Sequence, residues 1–181
     1  MQESGQLDEL TDDDLIRMYR DGDTDAFDVL FDRHHASVYG FARSMLGGLD
    51  GAEDVMQQTF LAVAQTARRY SPRGRFRPWL LRIVRNRCLN RIQAECTRRA
   101  VFAGDSFRLS RPASRETDPP RQLESDEQAD AVRRAVEALP DRQREAIALY
   151  AFEHLAYREI AEVMGMPINT IKTLIHRARA N

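Results

Sequence analysis

A chain of 181 residues has room for one or two small domains, and its 27 Lys+Arg against 28 Asp+Glu leave a net charge of −1. No stretch reaches the roughly 18 apolar residues needed to span a bilayer, and the acidic N-terminus lacks the basic-then-apolar layout of a signal peptide. A cytoplasmic location is therefore expected, with Cys88 and Cys96 as reduced thiols that serve packing; two Cys and four His offer no metal-ligand spacing, and neither a metal nor a cofactor is expected.

The near-neutral total conceals segregation. Up to Asp32 there are eleven acids against Arg17 and Arg20, whereas between Arg68 and Arg99 there are eleven arginines against Glu95 alone. A solvated helix face is the ordinary fate of a charge run, but such one-sidedness favours a polyanion as partner.

In chain order the apolar spacing predicts helices almost throughout. Thr11 and the three aspartates after it suit the N-terminus of a first helix ending by Gly22. A longer one follows from about Thr24, with Phe27, Leu30, Phe31, His34, Val38, Phe41, Ala42 and Met45 in one stripe. A third runs from about Asp50 to Tyr70 with Val55, Met56, Thr59, Phe60 and Val63 inward. After turn chemistry at 71–75, a fourth begins near Arg77, burying Trp79, Leu80, Ile83, Val84, Cys88 and Ile92. Between 103 and 123 the periodicity fails among Pro, Ser and charged residues, which predicts a flexible linker. Helices resume near Glu124, with Val132, Ala135, Val136 and Leu139 on one stripe, then Ile147, Leu149, Tyr150 and Phe152 after Pro140.

The last two helices, Tyr157 to Met164 and Pro167 to Arg179, have the pattern of a helix-turn-helix. Gly165 sits at a turn that needs positive φ. Ile168, Ile171 and Ile175 would bury one side of the second helix, leaving Asn169, Thr170, Lys172, Thr173, His176, Arg177 and Arg179 outside. Those are residue types that bond base edges and phosphates, and a helix fits the major groove. An ordinary amphipathic hairpin has the same spacing, so this motif alone is moderate evidence.

A second nucleic-acid signal precedes the linker. Tyr70, Phe76 and Trp79 interleave with Arg73, Arg75, Arg77, Arg82 and Arg85, and Asn86 and Asn90 share a helix face near the arginines. Arginines neutralise phosphates and flat apolar pockets hold unstacked bases. Trp79, alone at core spacing, is read as core.

These residues resemble the extracytoplasmic-function sigma factors of RNA polymerase over most of the chain. Asp25-Ala26-Phe27 with Leu30-Phe31 looks like that family's opening helix, and 52–61 (AEDVMQQTFL) like its polymerase-binding helix. The run 76–86 (FRPWLLRIVRN) looks like its promoter-opening helix, and 139–145 (LPDRQRE) and 157–161 (YREIA) through Arg179 like its C-terminal domain. The resemblance implies an all-α fold of two small helical domains: 1–102 for core polymerase and the −10 element, a linker at 103–123, and a helix-turn-helix domain at 124–181 for the −35 element. It implies that Asp54, Gln57, Gln58 and Phe60 dock on the clamp of the largest polymerase subunit. Tyr70, Arg73, Arg75, Phe76, Arg77, Arg82, Arg85, Asn86 and Asn90 would bind the −10 region, with Asn86 near a flipped base. Asn169, Thr170, Lys172, Thr173, His176, Arg177 and Arg179 would read the −35 element. Promoter DNA, core polymerase and an anti-sigma factor, often membrane-bound, are the implied partners; no small-molecule substrate is implied. Ala64, Asn169 and Leu174 depart from the family's common Trp, Gly and Arg, and relatives usually run a little beyond Asn181.

Other classes explain less. Catalysis would need a nucleophile, a phosphate loop or a metal set beside the carboxylates at 12–14 or 53–54, and none is present. A simple repressor leaves the third helix and the arginine-rich helix without a role. A sigma mimic that binds only an anti-sigma factor has no need of basic surfaces.

Overall fold

The computed structural model describes residues 7–47, 50–71, 74–103, 132 and 134–180, with the side chains of 101–103 excepted. All regular structure among these residues is helical. Helix α1 is Asp12–Arg20, where the Thr11 hydroxyl accepts the Asp14 N–H and three acids occupy the first turn, each favourable at a helix N-terminus. It closes at Asp21 with Gly22 next, at φ 110°, where a glycine stops a helix, and the Asp23 N–H reaches back to the Met18 carbonyl at 3.0 Å. Helix α2, Thr24–Leu46, is capped by the Asp23 carboxylate on the Asp25 and Ala26 N–H groups and stops at Gly47 in the left-handed region. Helix α3, Ala52–Thr66, passes into a 3-10 turn at Ala67–Arg69, so the single helix predicted to Tyr70 ends early.

Helix α4 spans Phe76–Ala103, the longest element. It packs against α3 and α2, and α2 packs on α1. The shared core includes Leu15, Leu30, Val38, Phe41, Val55, Val63, Leu80, Leu81 and Val84. Full burial of each such side chain stabilises by about 1.5–3 kcal/mol. Leu81 was not on the expected inner face of α4; it is 1% exposed, because α4 is covered from more than one side.

The C-terminal unit is built from α5 (Asp141–Ile147), a π-helical turn at Ala148–Phe152, α6 (Tyr157–Met164) and α7 (Ile168–Ala180). Gly165 takes φ 63° between the last two, as the turn requires. Ile171 and Ile175 are buried, but Ile168 is 37% exposed in the first turn of α7. Val132 and Phe152 are likewise exposed although their stripes predicted burial, and Ala135 is open too. The linker expected at 103–123 falls outside the described residues except Ala103, which ends α4.

The two units pack on each other. Helix α6 lies against α4, and α5 and the π-helical turn lie against α2. Arg144, 2% exposed, anchors the base of the C-terminal unit by donating to the Glu137 carbonyl (3.0 Å) and pairing with Asp141.

Candidate nucleic-acid interface

Helix α7 presents the expected polar face. Asn169, Lys172, Thr173, His176, Arg177 and Arg179 are exposed and Thr170 is half-buried, around the buried Ile171 and Ile175. The Thr173 hydroxyl donates to the Asn169 carbonyl at 3.0 Å, and the Arg179 guanidinium lies 4.7 Å from the centre of the Tyr150 ring. Arg179 therefore packs on its own unit while remaining open to solvent.

The arginine-rich helix divides into two faces. Arg82, Asn86 and Asn90 are exposed, as expected. Arg75, Arg77 and Arg85 are held instead by acids of the C-terminal unit. Arg75 pairs with Glu162 (2.9 Å), Arg77 with Glu153 (2.9 Å), and Arg85 with Glu145. Glu153 also accepts the Ser37 hydroxyl from α2 at 2.5 Å, so one carboxylate ties two N-terminal helices. The Arg85–Glu145 pair is the most enclosed, with side-chain exposures of 11% and 3%. The Nε of Arg77 is buried without a hydrogen-bond partner, which costs about 1–3 kcal/mol. None of these acids was singled out in the sequence. No local spacing pairs residues 60 to 87 positions apart.

Tyr70 and Phe76 do not offer an open stacking platform, contrary to expectation. They are 7% and 2% exposed. Their rings meet edge-on at 5.9 Å and both pack on Trp79, at 4.6 and 5.7 Å. Three aromatic rings close together gain more from mutual burial than any one gains as an exposed surface. Trp79, read as core, is indeed packed there. Arg73 lies outside the described residues.

On α3, Asp54, Gln57 and Gln58 are exposed and share that surface with Leu61, 59% exposed. Phe60 points the other way: it is 4% exposed and packs against Phe31 (4.7 Å) and Phe27 (6.3 Å). The side chain of Phe60, expected to face polymerase, thus lies in the core, and Leu61 is the apolar residue on the open side. Asp54 is tied to α4 by Arg91, whose Nε donates to the Asp50 carbonyl at 2.9 Å and whose Nη1 donates to the Asp54 carboxylate at 3.3 Å. This guanidinium lies against Gly51, at φ 102°, so a Cβ there would push the Arg91 side chain aside and strain the backbone.

Burial pushes the Cys88 thiol up to about 12, with the Glu145 carboxylate adding to the rise and Arg91 opposing it. Burial also raises Asp12, but hydrogen bonds and charge from His34 and Arg33 outweigh it and hold the carboxyl below the usual aspartate range. The cysteines consequently differ. Cys96 is exposed and Cys88 buried, so iodoacetamide at pH 8 is expected to alkylate Cys96 and spare Cys88, as read by peptide mass spectrometry. Equal labelling would contradict the packing around Cys88. Among the described residues no helix is long and apolar enough to cross a membrane.

Comparison with known proteins gives this arrangement a context. The family model described as Sigma-70 region 2 matches residues 30–96, and that described as Sigma-70, region 4 matches residues 129–181. The RNA polymerase sigma factor CarQ of Myxococcus xanthus is 34% identical, over 90% of this chain and 90% of its own. An ECF RNA polymerase sigma factor SigK of Mycobacterium sp. (strain KMS) is 33% identical over 89% of this chain and 83% of its own. Among solved structures, CnrH in complex with the cytosolic domain of CnrY aligns with a TM-score of 0.66 at 26% identity, covering 93% of this chain and 92% of that one. The sigma factor RpoE of Bartonella quintana, solved with the anti-sigma factor NepR, shares the fold with a TM-score of 0.67 at 24% identity, covering 85% of this chain and 92% of that one.

Proposed function

This chain belongs to the extracytoplasmic-function sigma factors of RNA polymerase, and from that premise we propose that it binds core polymerase through α3 and directs initiation at promoters read by α4 and α7. It is a transcription initiation factor that carries no chemistry of its own and works in the cytoplasm. The observation that carries the DNA assignment is the outer face of α7: six exposed polar or basic side chains beside a buried isoleucine pair, entered through a glycine turn. That is the geometry a reader helix needs in a major groove.

In this reading Lys172, Thr173, His176 and Arg177 meet the −35 element, with Asn169, Thr170 and Arg179 beside them. Arg82, Asn86 and Asn90 meet the −10 region, joined by Arg75, Arg77 and Arg85 once these are released. Asp54, Gln57, Gln58 and Leu61 face the polymerase clamp, Leu61 taking the apolar role first given to Phe60. The residues up to 102 form the polymerase and −10 domain, those between 103 and 123 link it, and those from 124 form the −35 domain.

The acids of the C-terminal unit have a part as well. While Glu145 and Glu153 hold Arg85 and Arg77 in the seam, those guanidinium groups cannot neutralise phosphates, whereas Arg75 pairs with Glu162 at the exposed rim and can part from it there. Promoter engagement through Arg77 and Arg85 requires the units to separate. CnrH and RpoE were each solved with the protein named beside them, and by analogy an anti-sigma factor is the partner proposed to stabilise the closed form here.

Run-off transcription with purified core polymerase tests the function; no transcript from any promoter of a genomic library would sink it. For the reader helix, Arg177→Ala is expected to weaken binding to the −35 element by about 1–3 kcal/mol, measured by fluorescence anisotropy. Unchanged affinity removes that residue from the interface.

A further inference from the structure

Asp13 is buried at 8% exposure in the first turn of α1, far in sequence from both promoter-binding helices, and its two carboxylate oxygens are both used. Oδ1 accepts the Tyr70 hydroxyl at 2.7 Å, and Oδ2 accepts the backbone N–H of Gly74. A second residue of α1 grips the same place, since Arg20 donates to the Tyr70 carbonyl at 3.4 Å. Tyr70 is thereby held at its ring end and at its backbone by one helix.

The other end of this contact leads into α4. Gly74 stands at φ 68°, a conformation other residues rarely adopt. The next residue, Arg75, uses its carbonyl to accept the Trp79 N–H (3.2 Å) in the first turn of α4, and its side chain is one of the proposed DNA contacts. The Tyr70 ring packs on Phe76 and Trp79, so the phenol that Asp13 orients also braces the start of α4. A single carboxylate on α1 therefore fixes both the residue that leaves the 3-10 turn and the residue that enters the promoter-facing helix.

We propose that Asp13 is a positioning residue for −10 recognition: it touches no DNA, but by holding Tyr70 and Gly74 at once it sets the entry of α4 and so the placement of Arg75 and of the exposed Arg82 and Asn86 against the −10 element. This rests on the assignment of α4 to that element. The carboxylate serves both because it has an acceptor oxygen for each donor. Alanine has neither, whereas asparagine could still pair its oxygen with the Gly74 N–H and its NH2 with the phenol oxygen.

The test is run-off transcription by the full chain on core polymerase, with two promoter series: one varied only in the −10 element, one only in the −35 element. Asp13→Ala, which removes both acceptors, is expected to reduce discrimination among −10 variants by about tenfold. Discrimination among −35 variants and affinity for core polymerase should be unchanged, an asymmetry that general destabilisation would not produce. Tyr70→Phe removes only the phenol donor and is expected to shift the −10 series in the same direction by less; it carries the test if Asp13→Ala fails to fold. Undiminished −10 discrimination in the folded variants, beside a wild type that discriminates, overturns the role of Asp13 and leaves the function standing. A wild type that transcribes but does not distinguish −10 elements overturns the assignment of α4, and this proposal with it. Equal losses in both series overturn the positioning role in favour of a merely structural one.

Discussion

Glu145→Ala is expected to part the two units while each stays folded. The substitution leaves the Arg85 guanidinium, 11% exposed, without its carboxylate in the seam between α4 and the C-terminal unit. Removing one member of an enclosed ion pair costs about 3–5 kcal/mol, because the remaining charge is stranded away from water. That is more than two factors of ten on the docking equilibrium. The strain can be relieved by undocking, which rehydrates Arg85 and leaves the core around Leu80 and Val84 intact. Small-angle scattering should show a larger radius of gyration at unchanged helicity. Isolated chain should also bind duplex DNA more tightly, since three arginines are released together. Glu162→Ala is the contrast: its pair with Arg75 is about half exposed on both sides, and such pairs contribute about 0–1 kcal/mol. A Glu145→Ala protein as compact as the parent would mean that apolar packing of α6 on α4, and not the ion pairs, holds the units together.

The second large effect is expected at Phe76. Its position among the arginines suggested a base-stacking surface, yet the ring is 2% exposed between Tyr70, Trp79 and His34, the last at 5.5 Å. Phe76→Ala opens a cavity at the first turn of α4 and should destabilise the N-terminal unit by about 3–5 kcal/mol. For a chain of this size each kcal/mol lowers the melting temperature by about 2–4 °C. A fall of roughly 6–20 °C in calorimetry is thus expected, with the transition of the N-terminal unit moving most. A melting temperature within 2 °C of the parent, with DNA binding lost, would restore the stacking role and contradict the burial.

The two results bear on the same surface from opposite sides. One asks whether the arginines are kept from DNA by acids of the same chain; the other asks whether the aromatics among them serve the fold alone. Together they reduce the proposed −10 surface of the closed chain to Arg75, Arg82, Asn86 and Asn90, with Arg77 and Arg85 added on opening.

The amino-acid sequence by itself determined the helices, their caps and the reader face of α7. These depend on contacts between near neighbours: Thr11 on the Asp14 N–H, Asp23 on Ala26, Gly165 in the left-handed turn, Ile171 and Ile175 four apart on one side. Such periodicities of one turn are printed in the order of residues. What only the tertiary structure decided is which side chains on a given helix are open and which are spent. Phe60 and Leu61 are adjacent and both apolar, and only the position of α2 puts the first in the core and the second outside. Arg82 and Arg85 differ by less than one turn, and only the docking of the C-terminal unit leaves one free for solvent and binds the other to Glu145. Asp13 gave no signal among three aspartates that look alike, because its partners, Tyr70 and Gly74, are 57 and 61 residues away. Long-range charge pairing depends on how helices cross, and crossing is set by the packing of whole faces, which no local pattern encodes.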